Sequence, residues 1–79
     1  MEAQFTHYKQ EEIRSLDKIQ TCEIGTQLIF DYVQQENAVF NIATIEEIIK
    51  AIFQVELHQR EYLLQIRLAK ALSSTKLQP

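Results

Sequence analysis

Apolar residues recur along most of this chain at helical spacing, and the pattern predicts four stretches of helix. In the first, residues 6–21, Tyr8, Ile13, Leu16 and Ile19 fall within one arc of a 3.6-residue wheel, while Lys9, Arg14 and Lys18 lie elsewhere. Glu11 and Glu12 sit near its front, where the helix dipole favours negative charge. The second stretch, residues 26–36, carries Leu28, Ile29, Phe30, Tyr32 and Val33 over more than half its circumference, so it is expected to be the most buried element. Between the two, Gly25 either ends the first helix as a left-handed cap or sits inside one long helix at a cost of about 1 kcal/mol relative to Ala.

Asn37 to Ala43 reads as the loop, with Asn37 and Asn41 as turn formers and Val39, Phe40 and Ile42 plugging the end of the core. Thr44 is then expected to cap a third helix over residues 45–54. Glu47 stands three residues on to complete a capping box, and Ala43 and Ile48 lie at staple spacing. Ile45, Ile48, Ile49, Ile52 and Phe53 form its apolar face, with Glu46, Glu47 and Lys50 opposite. Continued unchanged, this helix would place Glu56 on the apolar face and Leu57 on the polar one. The change of register predicts a bend near Gln54–Glu56, although Gln and Glu are good helix formers and no Gly or Pro forces a break.

The fourth helix, residues 56–73, shows two apolar stripes. Leu57, Leu64, Leu68, Ala71 and Leu72 form one; Tyr62, Ile66 and Ala69 form the other, nearly opposite. Arg60, Arg67 and Lys70 run between them, with Leu63 in their midst. A helix apolar on two sides needs two partners. One stripe is expected to meet the rest of the monomer and the other a second chain.

Composition supports an all-helical reading. The chain has 79 residues and is 46% apolar, with a single Gly and a single Pro, too few turn residues for an all-β chain. A folded protein of this mass has a surface of roughly 5,000 Å² and a thin core. Cys22 is the sole cysteine, so no disulfide within the chain can reinforce it, which leaves association as the common remedy. The expected fold is therefore one all-α domain over residues 1–79: a small bundle of three to four helices with a long C-terminal helix, dimeric. No apolar run approaches the ~20 residues of a membrane span, and the opening residues lack the basic and apolar blocks of a signal peptide. With an unpaired cysteine, the expectation is a soluble, cytoplasmic protein.

Net charge is −3, divided between −6 over residues 1–56 and +3 over residues 57–79. The basic residues of the last helix suggest two uses. One is a helix-turn-helix DNA reader, in which a turn at Gln54 would present Arg60, Arg67 and Lys70 to phosphates. The acidic balance and the lack of a basic arm disfavour nucleic acid. The other is the basic rim of a protein interface around Tyr62 and Ile66.

Catalytic chemistry has no comparable support. His58 and Glu61 are three apart, but two ligands do not make a metal site. Cys22 has no histidine marked to activate it, and the pairs Glu11–Glu12 and Glu46–Glu47 lie at predicted helix starts, where the dipole accounts for them. The stretch Gln65 to Leu72 resembles the C-terminal helix of flagellar or secretion-system rod proteins over about a tenth of the chain, in common helix residues, short of a family assignment.

The expected function is that of a small non-catalytic adaptor, regulator or inhibitor. It would use no cofactor, bind a protein partner or form a homodimer, and do so through Arg60, Tyr62, Leu63, Ile66, Arg67, Ala69 and Lys70. The alternatives are the helix-turn-helix regulator and a structural subunit of a helical assembly.

Overall fold

The chain folds as two long helices joined by one loop. A computed structural model describes residues 2–76, with side chains over residues 6–73. Helix α1 spans Glu2–Val33 and α2 spans Ile42–Lys76, packed antiparallel as a hairpin. It measures 64 × 17 × 14 Å, and its radius of gyration of 18.1 Å far exceeds the ~12 Å of a compact chain of this length.

This corrects the expected bundle of three to four helices, because both anticipated breaks are absent. Gly25 has no positive φ and lies inside α1. Gln54 to Glu56 continue α2. The physical reason lies in the spacing of the inward residues. Along α1 a central row of covered positions runs Tyr8, Glu12, Ser15, Ile19, Cys22, Thr26, Ile29 and Val33, and along α2 Ile45, Ile49, Ile52, Glu56, Gln59, Leu63, Ile66, Lys70 and Ser73, with Glu11, Gly25 and Ala69 partly covered at its edges. The steps alternate between four and three throughout, which is the heptad seam of a two-stranded coiled coil. Glu56 does fall on the inward face, as continuation required, and the helix accepts it. Polar residues in the seam keep its period while hiding it from a reading based on apolar residues alone.

The seam satisfies these polar groups locally. Ser15, 1% exposed, donates its hydroxyl to the carbonyl of Gln59 at 3.0 Å, and its small side chain lets the helices approach. Glu56 accepts from Arg60 Nε at 3.0 Å. Glu12 accepts from Arg67 at 2.9 Å and Lys70 at 3.1 Å. Among the described residues no buried side-chain nitrogen or oxygen lacks a partner, as expected where burial without a hydrogen bond is costly.

The loop covers residues 34–41. Gln34 N–H bonds to Phe30 O, Gln35 N–H to Tyr32 O, and the Tyr32 hydroxyl to Val39 O at 2.9 Å. Helix α2 starts two residues before Thr44, and the cap is Asn41. The Asn41 carbonyl accepts the first helical bond from Ile45 N–H, and its side-chain oxygen accepts from Thr44 N–H at 3.0 Å, the geometry of an N-cap. Val39, 87% exposed, and Ile42 do not plug the core. Nor is the stretch from Thr26 to Glu36 the most buried, since Leu28, Phe30 and Tyr32 are all exposed.

Candidate interaction surface

The seven residues expected to meet a partner lie along the inner side of α2 and its flanks. Leu63 and Ile66 are buried against α1. Ala69 and Lys70 are partly covered. Arg60 donates to Glu23 across the hairpin at 2.9 Å, Arg67 and Lys70 share Glu12, and the Tyr62 hydroxyl donates to Glu11 at 3.0 Å. This cluster clasps α2 to α1. It also accounts for the opposite charges of the two parts of the chain, because the basic residues of α2 meet carboxylates of α1.

The clasp moves two acid–base equilibria. Hydrogen bonds from Arg67, then Lys70, hold the Glu12 carboxyl below the ordinary carboxylate range, although burial opposes this. The hydrogen bond to the Glu11 carboxylate raises the Tyr62 phenol, with burial adding in the same direction. Both shifts belong to an interhelical clasp, and neither marks a group freed for proton transfer. Among the described residues no three His, Cys, Asp or Glu gather as a metal site, and no helix is long and apolar enough to cross a membrane.

With Leu63 and Ile66 turned inward, the other apolar stripe of α2 faces out. Leu57, Leu64, Leu68 and Leu72 are exposed. The cross-helix bonds define two broad sides of the hairpin. The Glu23–Arg60 pair marks one. Leu16 and Phe30 lie seven residues either side of Glu23, and Phe53, Leu57 and Leu64 lie beside Arg60 along α2. A shallow hollow of about 210 Å³ there is lined by Glu23, Thr26, Gln27, Ile49, Phe53 and Glu56. The ion-paired network of Glu23, Arg60 and Glu56 divides this side in the middle.

The Glu11–Tyr62 bond marks the second side. Gly25 and Tyr32 follow Glu11 at heptad intervals on α1, as Val55 and Ile48 precede Tyr62 on α2. Here Thr21, Cys22, Gly25, Ala51, Ile52 and Val55 line a groove of about 300 Å³. The small side of Gly25 and that of Ala51 leave the space; Leu28 and Ile48 rise beside it. Toward the loop this side carries no charge, while away from the loop it becomes polar with Glu11, Arg14, Lys18 and His58.

Sequence reasoning missed this groove because Gly25 reads only as a helix cap or a tolerated interior residue, and not for the space it leaves beside α2. The available signal was a glycine and an alanine at facing positions of two long helices. Compared with known proteins, the chain matches no family model, no curated protein and no solved structure.

Proposed function

We propose that this protein is a non-catalytic interaction module, a helical hairpin whose outward apolar sides are covered by another polypeptide. The observation that supports it is the inverted distribution of apolar side chains. Among the described residues Ile19, Leu63 and Ile66 are the buried apolar residues, whereas seventeen large apolar residues are exposed. The surface of 6507 Å² exceeds that of a compact protein of this mass by about 1,500 Å². Single exposed apolar residues are ordinary, but contiguous apolar sides mark binding surfaces.

The arrangement speaks against the DNA reading. Helix α2 has no turn at Gln54, and Arg60, Arg67 and Lys70 are engaged by Glu23, Glu56 and Glu12. Phosphate would have to displace those carboxylates before binding.

Photo-crosslinking in cells tests the proposal. A photoreactive residue at Leu28 or Leu64 is expected to give discrete adducts, and one at the exposed Asp17 none. No adduct from either apolar position, or the same adducts from Asp17, would refute it.

A further inference from the structure

We infer that the Gly25 side of the hairpin is covered by a second copy of this chain, with the two hairpins packed antiparallel about a two-fold axis as a four-helix bundle. This rests on the interaction reading above and names its partner.

Four observations carry it. The first is Gly25 itself. A glycine in mid-helix weakens the helix relative to alanine, yet nothing within the hairpin requires it. Its φ is not positive, and an added Cβ would meet only Ile52 Cδ1, at an ordinary 3.8 Å. The space it leaves opens outward, into the groove, as a glycine does where another backbone or side chain approaches closely.

The second is shape. The groove at Gly25 and Ala51 lies about one helical turn from the ridge of Leu28 and Ile48. A two-fold axis between groove and ridge sets each ridge into the partner's groove. A self-complementary face of this kind closes as a dimer.

The third is charge. Thr21, Gly25, Leu28, Ile48, Ala51 and Val55 include no ionisable group, so covering them strands no charge. Along the hairpin, residues 21–57 hold six acidic residues and one basic, and the remainder holds seven basic and five acidic. Antiparallel packing brings the acidic loop end of each copy toward the basic stretch of the other. There Lys18 has no ion pair among the described residues. Parallel packing would set the two acidic ends together.

The fourth is area. A stable interface takes about 800 Å² from each partner, and the hairpin exposes about 1,500 Å² more, over all its sides, than a compact chain of its mass, which association on one side would reduce.

Sedimentation of the full chain across a wide concentration range tests the inference. The expected species has twice the 9.3 kDa chain mass. Leu28, 63% exposed, is not needed to fold the hairpin, and Leu28→Glu is expected to weaken dimerisation at least tenfold, as loss of a central anchor does, with helix content retained. Gly25→Met fills the groove with a better helix former, so it should weaken the dimer and raise the melting temperature of the dilute monomer. Leu64→Glu, at a 67% exposed position on the opposite side, should leave the dimer intact. Cys22 lines the groove and gives an independent readout: its alkylation should slow as wild-type concentration rises, and not in Leu28→Glu. A wild-type chain that stays at 9.3 kDa throughout overturns the inference. So does a dimer that survives Leu28→Glu and Gly25→Met but is lost in Leu64→Glu. In the first case, a crosslink from Leu28 to a different protein would leave the interaction reading standing and remove only the second copy.

Discussion

Replacing Glu56 with leucine should stabilise this protein, although it removes an ion pair. Glu56 occupies a seam position where its side chain is 19% exposed, and it bonds to Arg60 one turn on. The glutamate stem already places two methylenes in the seam. Leucine places about two more carbons there, worth about 0.8 kcal/mol each when fully buried and somewhat less at this site. The lost pair costs about 0.3–0.5 kcal/mol, typical of such spacing on a helix. Arg60 keeps its bond to Glu23, so no charge is orphaned. The net gain is about 1 kcal/mol, which for a domain of this size raises the melting temperature by roughly 4–8 °C. Thermal unfolding followed by far-ultraviolet circular dichroism, at one fixed protein concentration, measures it. Glu56→Ala serves as the control: it removes the charge without the added carbons and should stay within about 0.5 kcal/mol of wild type. If Glu56→Leu melts at or below the wild-type temperature, the seam does not continue through position 56 and the heptad account of the fold is wrong.

Other substitutions probe the clasp and the cap. Glu12→Gln removes the shared partner of Arg67 and Lys70, and a fall of about 1 kcal/mol is expected from urea midpoints. Because the folded state depresses the Glu12 carboxyl below its ordinary 4.5, its contribution is complete above that pH and disappears as pH falls through the lowered value. Urea midpoints measured down through the acid range should show this loss in wild type and less of it in Glu12→Gln. Tyr62 behaves oppositely, since its phenol is raised above 10.0. Its contribution is complete below that pH and is lost as pH rises through the raised value, and Tyr62→Phe should flatten this part of the alkaline unfolding curve. Asn41→Ala should cost about 1 kcal/mol by removing the cap of α2, with Asn41→Asp close to wild type in thermal melts.

The helical character of the chain was legible from its scarcity of Gly and Pro and from the spacing of its isoleucines and leucines. The loop was placed nearly correctly by Asn37 and Asn41. The number of helices was not legible, because an apolar wheel gives no weight to Glu12, Ser15, Glu56, Gln59 or Lys70, and these are the residues that carry the heptad through the middle of the hairpin. The apparent misplacement of Glu56 suggested a bend, where it marks a seam that tolerates polar groups by bonding them across or along the helices. The same blindness hid the inward turn of Leu63 and Ile66 in the last helix. Tyr62 and Ile66 looked like a patch with a basic rim; Ile66 is buried against α1, while Tyr62, Arg60 and Arg67 stay exposed at the edge of the seam, bonded to carboxylates of α1 distant in sequence. Which residues of that helix the monomer covers depends on the partner helix, and no local pattern states that. Thr44 read as the cap from Glu47 at box spacing and Asn41 as a turn former, whereas the capping hydrogen bond falls to Asn41, where the helix begins.

The narrow cross-section of the hairpin has a mechanical consequence. Its side chains meet in single layers, each touching the layer before and the layer after, with no third element to provide a detour. The aliphatic layers by the loop, built on Ile29, Val33, Ile45 and Ile49, are joined to Leu63 and Ile66 by mixed layers in which Ser15, Cys22, Glu56 and Gln59 alternate with Ile52 and the buried Ile19. In a linear stack, stability is a sum of nearest-neighbour terms, so each layer depends on the layers beside it. A disturbance at one end of the hairpin therefore reaches the other only by passing through every layer between.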